Sequence, residues 1–236
     1  MPTLLRRCYS SRPVVDRAVT IEGQEAHHLL HVLRVQTGDS LTVFDGSGQE
    51  FQCEVAECRR AEVVLEVLSL DEVNRELPFL LELGVAMPKG DRSRWLVEKC
   101  VELGVSRLVP LSTKFWDVKA KRDSHKKLHR YVIEASKQCG RNQLMEIENL
   151  TSFEVWIQSS QEEKTTQLIA HPGGELIENA IVVQGGPIRL TIGPEGGFSE
   201  AEIEIAQRSG WRVVDLGPRI LRVETAALKL ISAITG

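Results

Sequence analysis

The sequence predicts an α/β protein in two parts: a small β-barrel with one helix over residues 1–74, and a parallel-sheet α/β domain over residues 75–236. Three observations lead there. Up to about Asp71, short runs rich in β-branched residues are separated by polar and glycine-bearing turns, the pattern of strands and hairpins. From Leu77 onward, short apolar runs alternate with helical patterns, the rhythm of strands joined by crossover helices. Between them, "DEVNREL" is polar and reads as a linker.

In the first part, "AVTIEG" is a short strand, and "LTVFDGSGQEFQCEV" is a hairpin turning at Asp45-Gly46-Ser47-Gly48. "RAEVVLEVLSL" is a further strand. One helix interrupts, "GQEAHHLLHVLRVQTGD", with Leu29, Leu30, Val32 and Leu33 as its apolar face. In the second part, "FLLELGVAM" is a strand followed by the loop "PKGD". "RSRWLVEKCVEL" is a helix with Leu96, Cys100 and Leu103 on one face, closed by Gly104. After the strand "VSRLVPL", the helix "SHKKLHRYVIEASKQC" carries Leu128, Val132, Ala135 and Cys139 in register and closes at Gly140. "TSFEVWIQSS" begins a helix with a Thr151/Glu154 capping box. The strands "QLIAH", "IRLTIG" and "WRVVDLG" complete the sheet, with helices starting near Ser199 and Val223 after the last two.

Composition narrows the class. The chain has 236 residues, 42% of them hydrophobic, enough for one large or two smaller cores. No apolar run approaches the ~18 residues of a membrane span, and the first residues lack an apolar signal core, so a soluble, cytoplasmic protein without a membrane partner is expected. The five cysteines are scattered and form no C-x-x-C pair, which points to reduced thiols rather than disulfides or zinc. The net charge of −4 provides no global field for nucleic acid. Yet Lys114 to Arg141 holds nine Lys/Arg against three acids, a local excess of six that suits either phosphates or a solvated helix face.

The stretch "TIGPEGGFS" (Thr191–Ser199) joins a strand to a helix through a glycine-rich turn, and Ser199 with Glu202 makes a capping box. Such turns often hold phosphate at a helix N-terminus. This one has no lysine, and Glu195 in its middle repels phosphate, so its ligand is neutral or cationic on that side. "DLGPRILRVETAALKL" (Asp215–Leu230) is a second junction of this kind, and His171-Pro172-Gly173-Gly174 follows a third strand. All three fall beyond carboxyl ends of strands, where α/β sheets bind ligands. Their amides and apolar side chains suit a flat heterocycle such as adenine.

"IGPEGGFSEAEI" together with "LGPRILRVETAAL" resembles the RsmE-type RNA methyltransferases of the SPOUT superfamily, and the likeness runs through "PKGDRSRWLVEKCVELGV", "EASKQCGRN" and "HHLLHVLRVQTGD", in order, over nearly the whole chain. The resemblance implies a PUA-like N-terminal barrel, a C-terminal SPOUT-type α/β knot (a deep trefoil knot), and a homodimer. It also implies methylation of N3 of one uridine in small-subunit ribosomal RNA, or in the assembled small subunit, using S-adenosylmethionine. By the same resemblance Gly193, Glu195, Gly196, Gly197, Leu216, Ile220, Leu221, Thr225 and Ala226 line the cofactor site, with Leu168 to His171 as the facing loop. The sulfonium of that cofactor is positive and it carries no phosphate, which answers the glutamate.

Uridine N3 carries a proton, so the site needs a proton acceptor or a cation for the developing anion. Arg222 is the candidate for charge on O2 or O4, and Glu224 or Glu195 for the proton; ion pairs at a helix terminus are the structural alternative for each. Arg141 is a candidate for a dimer partner's active site or for a helix cap. Lys89 and Arg92 are candidates for RNA phosphates, extended by Lys119, Arg6, Arg7, Arg12 and Arg34. His27 and His31 lie one helical turn apart, but no third metal ligand accompanies them, so no metal is assigned. After "VPLST" the family pattern is acid–arginine–small; this chain has Lys114-Phe115-Trp116, a pair of aromatics suited to base stacking or to a core. A knotted methyltransferase with another target nucleotide, and a non-catalytic RNA-binding protein, are the alternative readings.

Overall fold

The computed structural model describes residues 6–116, 123–159, 164–180 and 186–236. It divides into two compact units, Met1–Glu76 with Ser136–Leu144, and Leu77–Ala135 with Met145–Gly236.

The first unit is a five-stranded sheet: β1 (Arg7–Tyr9), β2 (Ala18–Glu22), β3 (Ser40–Phe44), β4 (Glu50–Cys58) and β5 (Glu62–Asp71), in the order β1-β3-β4-β5-β2. β1 runs parallel to β3 and the other pairs are antiparallel. Register shifts between Gln52 and Cys53 and between Val55 and Glu57 add local twist, which curls the sheet. The expected hairpin turns where Asp45 Oδ1 accepts bonds from the Ser47 N–H at 3.0 Å and Oγ at 2.6 Å. Alternate residues Leu41, Val43, Val55, Val63 and Leu65 point inward and are fully buried against Leu29. Each such burial contributes about 1.5–3 kcal/mol.

The single helix foreseen here is two pieces. α1 (Gly23–His27) passes into a π-helical turn, His28–Leu33, which ends at Arg34 in the left-handed region (φ 52°). β1 was not foreseen, because three residues are too few to display an alternation.

The second unit follows the expected alternation: β6 (Leu81–Val85), α2 (Asp91–Glu102), β7 (Arg107–Ser112), α3 (His125–Cys139), β8 (Glu146–Ile147), β9 (Thr151–Ser152), α4 (Phe153–Gln158), β10 (Thr166–Leu176), α5 (Ile177–Ala180), β11 (Ile188–Ile192), α6 (Glu200–Arg208), β12 (Arg212–Asp215) and α7 (Val223–Thr235). The sheet order is β12-β10-β11-β6-β7-β8, every neighbour parallel, with β9 paired to β7. All five residues of β6 and of β11 are buried, as befits central strands covered on both faces. α2 ends at Gly104 (φ 83°), where a Cβ would lie 2.9 Å from Leu77 Cγ, so only glycine fits both the turn and the contact.

Two expectations need correction. The cap of α4 is Ser152, whose Oγ accepts the Val155 N–H at 3.3 Å, not the Thr151/Glu154 box. Thr151 is taken by the sheet, paired with Leu111. And His171–Gly174 is not a free loop: β10 continues through it, with its register on β12 shifting between Ala170 and Glu175. The Ser199/Glu202 box on α6 forms as read. All five cysteines are free; burial pushes the thiols of Cys8 and Cys100 far up and that of Cys53 to about 11, so these three are inert. Among the described residues no helix is long and apolar enough to cross a membrane.

Candidate active site

β10, β11 and β12 point their carboxyl ends in one direction, and the segments leaving them enclose a cavity of about 310 Å³. Ile192, Phe198, Leu216, Leu221, Val223 and Ala226 give it an apolar wall. Ile220 also lines it and is fully exposed, an apolar side chain that none of the described residues covers. The polar lining is sparse: Glu195, His171, Asp215 and the exposed Arg219. His171 Nδ1 is buried without a hydrogen-bond partner among the described residues.

Asp215 fastens two walls together. Its Oδ2 accepts the Gly173 N–H at 2.9 Å and its Oδ1 the Gly217 N–H at 2.7 Å. Those two N–H groups, Gly173's first, hold its carboxyl below the usual carboxylate range. The sequence carried a signal for this, an aspartate ending a strand just before a glycine turn, but it was not read as part of the site. Glu202 fastens a third element. Buried at 4% exposure, it accepts the Ser199 N–H within the capping box and also the Lys114 N–H at 2.9 Å. Phe115 then lies against the glycine loop, its Cβ 3.1 Å from where a Cβ on Gly196 would be.

Beside the cavity, three charged side chains from three segments meet. Arg92, on the first turn of α2, places Nη1 3.0 Å from Glu195 on the glycine loop and 3.8 Å from Glu224 Oε2 on the first turn of α7. Glu195 is 60% exposed at its side chain; Glu224 is only 8% exposed there. Glu224 Oε2 has no hydrogen-bond partner among the described residues. α2 and α7 pack together, which brings positions more than a hundred residues apart into one cluster.

The candidate residues therefore sort as follows. His171, Gly193, Glu195, Gly197, Leu216 and Leu221 surround the cavity, as do Ile220 and Ala226. Leu168 does not reach it; it is wholly buried in β10 between Leu190 and Arg212. Thr225 sits on an exposed position of α7, and Gly196 abuts Phe115 rather than the cavity lining. Arg222 is exposed at the N-cap of α7, where its carbonyl accepts the Ala226 N–H at 2.8 Å. Arg141 is not a free catalytic arginine. It is 4% exposed, and Glu76 holds it through Nε at 3.0 Å and Nη2 at 2.5 Å.

The RNA candidates change as well. Arg92 is engaged by two carboxylates instead of waiting for phosphate. Arg7 is drawn inward by Glu50 at 2.7 Å and Asn142 Oδ1 at 2.6 Å, over the Phe44 ring. Arg6 is more open but pairs with Asp39. Arg12 pairs with Glu22 at 3.1 Å, and Arg34 and Lys89 are exposed. Lys119 lies outside the described residues. The rings of His27 and His31 stand 4.6 Å apart, and no group of three metal-ligating side chains occurs among the described residues.

A family model described as an RNA methyltransferase domain matches residues 75–235, and one described as an RNA methyltransferase PUA domain matches residues 21–68. The chain is 32% identical over 234 residues to ribosomal RNA small subunit methyltransferase E of Bacillus subtilis, covering 92% of this chain and 89% of that one. The chain belongs to the RNA methyltransferase E family. A protein of the same name from Synechocystis is 30% identical over 231 residues, 94% of this chain and 75% of that one. Among solved structures, a methyltransferase from Legionella pneumophila in complex with its cofactor SAM matches with a TM-score of 0.87 and 32% identity, over 97% of this chain and 96% of that one. The family's enzyme from Neisseria gonorrhoeae, solved with S-adenosyl methionine, matches with a TM-score of 0.87 and 29% identity, over 97% and 96%.

Proposed function

We propose that this protein transfers the methyl group of S-adenosylmethionine to N3 of a uridine in small-subunit ribosomal RNA. The observation that carries this reading is the cavity at the ends of β10, β11 and β12, apolar inside, with a carboxylate and no lysine at its glycine loop. That lining suits an adenine in the apolar part and a positive sulfonium on the side of Glu195, whose loop has no cation for a phosphate. When bound, the cofactor supplies an electrophilic methyl group on a positively charged sulfur.

This chain's residues do the rest. Gly193 and Gly197 let the backbone approach the ligand closely. Leu216, Ile220 and Leu221 cover its flat face and exclude water. Methyl transfer is an in-line displacement, so fixing the two reactants contributes much of the acceleration. Phe115, half-exposed beside Gly196, offers a stacking face for the target base, which must be unpaired or flipped to be reached. Arg222, exposed at the entrance to α7, donates to the uracil oxygens as negative charge develops on them. Glu224 or Glu195 receives the N3 proton, directly or through water. Residues 1–74 serve as an RNA-binding domain in which Arg34 is an exposed cation. The reading includes a homodimer, a trefoil knot in residues 75–236, and a place in the cytoplasm where ribosomes are assembled.

The test is transfer of labelled methyl from S-adenosylmethionine to small-subunit RNA, naked or as assembled subunits lacking the modification, followed by nucleoside analysis. The expected product is N3-methyluridine. Label on a different nucleoside would overturn the target, and absence of label on either substrate would overturn the activity.

A further inference from the structure

The charged cluster beside the cavity is short of positive charge. Glu195 and Glu224 share one guanidinium, that of Arg92, at 3.0 and 3.8 Å, so two carboxylates against one cation leave one negative charge. Glu224 is the costly member. It is 6% exposed, yet its Oε2 accepts no hydrogen bond among the described residues, and 3.8 Å is beyond hydrogen-bonding distance. A buried carboxylate partnered so thinly is unfavourable unless further positive charge comes near. The cavity beside it has an apolar wall, and Asp215 and Arg219, which also line it, offset one another, so a ligand with one flat apolar end and one cationic end would turn its charge toward Glu195.

We infer that Arg92, Glu195 and Glu224 form a charge-reading cluster that holds the positively charged sulfonium cofactor in preference to its neutral thioether product. The inference rests on the proposed function, which supplies that cofactor, and adds to it a role for Arg92 and a basis for product release. The charges balance through the reaction. Before transfer, one sulfonium offsets the cluster's single negative charge. During transfer the N3–C bond forms as the C–S bond breaks, the sulfur keeps the bonding pair and becomes neutral, and N3 gives up one proton. A carboxylate of the cluster receives that proton, so neutrality is kept as the sulfonium disappears. The thioether then faces a cluster with no charge left to hold it. Arg92 limits the pull: with it the cluster offers one negative charge, without it two.

The experiment is calorimetric titration of the full chain with S-adenosylmethionine and with S-adenosylhomocysteine, for the wild type and for Glu195→Gln, Glu224→Gln and Arg92→Gln. The quantity read is the ratio of the two dissociation constants. Glu195→Gln should lower the preference for the sulfonium form by about tenfold, as for one unit charge removed from a largely solvated site, and Glu224→Gln, which removes a buried charge, by at least as much. Arg92→Gln should raise the preference, with S-adenosylmethionine binding more tightly than to wild type. A merely structural role for these residues would weaken both ligands alike in all three variants. Glu195 is mostly exposed, so its variant keeps the test decisive even where Glu224→Gln fails to fold. Unchanged ratios in variants that still bind, or a lowered preference in Arg92→Gln, would overturn the inference and leave the proposed function standing. A wild type that binds neither ligand would overturn both.

Discussion

The second unit holds two arginine–glutamate clusters that differ in their charge balance. One lies across the starts of three adjacent strands, where Arg189 of β11 and Arg107 of β7 both stand in register with Glu82 of β6. Arg189 is 1% exposed and held through two of its nitrogens: Nε donates to Glu82 at 3.1 Å and Nη2 to the Trp156 carbonyl and Ser159 Oγ at 2.9 Å, with the Trp156 ring 3.6 Å beneath the guanidinium. Arg107 pairs with Glu82 and reaches Glu148 at 3.7 Å, so two cations meet two anions. Burial lowers the Arg189 pKa to about 10, against the pull of Glu82, and the group stays charged at neutral pH. The other cluster, at the opposite ends of the strands, sets two carboxylates on one arginine. Balanced, enclosed charge fastens a sheet; unbalanced charge beside a cavity is an offer to a ligand. The same residue types serve both purposes, and only their count and burial separate them.

The largest expected effect breaks the balanced cluster. Glu82→Ala leaves Arg189 buried without its counter-ion, and breaking such a pair costs about 3–5 kcal/mol. Urea unfolding should show that loss in the midpoint; a change below about 1 kcal/mol, the usual limit for an exposed pair, would mean the cluster is not fastening the sheet. Next comes Gly84→Ala. A Cβ there would lie 2.6 Å from Trp156, which stacks on Arg189 and donates to Thr191 Oγ1 at 2.7 Å. Displacing that indole should cost about 1–3 kcal/mol, as overpacking does, and thermal melting with tryptophan fluorescence would register both the loss and the shift. Glu195→Gln, the matching change at the cavity, should alter stability by less than about 1 kcal/mol because its ion pair with Arg92 is exposed. Differential scanning fluorimetry without ligand would expose the contrast; a drop comparable with that of Glu82→Ala would erase it.

The same contrast marks how far the sequence could be read. β6 and β11 were visible as short apolar runs because central strands bury every residue, and α2 and α6 because their apolar spacing, glycine stop and capping box are local signals. The cavity was visible through its three glycine-bearing segments, His171–Gly174 among them, and through family resemblance. What was hidden is pairing between distant positions. Nothing near Arg92 announces Glu195, 103 residues on, so a loop cation was read as a phosphate ligand. Arg7 and Arg141 were misread for the same reason: Glu50 and Glu76 claim them across the fold. Leu168 and Thr225 were placed by the span of a motif, whereas Leu168 lies two residues farther back along β10 than Ala170, which does line the cavity, and Thr225 falls on an exposed position of α7.

The smallest effect expected concerns Asp215, a lining residue that ties two walls of the open cavity together. Its carboxyl is depressed by the Gly173 and Gly217 N–H groups, so the carboxylate is favoured in the folded protein. The contribution it makes is therefore present above the unfolded value, about pH 4, and is lost as pH falls through the lower folded value. At neutral pH the tie is intact, and Asp215→Asn should weaken it without unfolding the chain, since the group is exposed to solvent screening. Affinity for S-adenosylmethionine should drop modestly in the variant, because the Gly173 and Gly217 walls are no longer fixed to one another. In wild type the affinity should also decline once the solution is more acid than about pH 4, and the variant should lack the part of that decline due to this group. Identical acid profiles for the two proteins would show that the two walls hold their positions without Asp215.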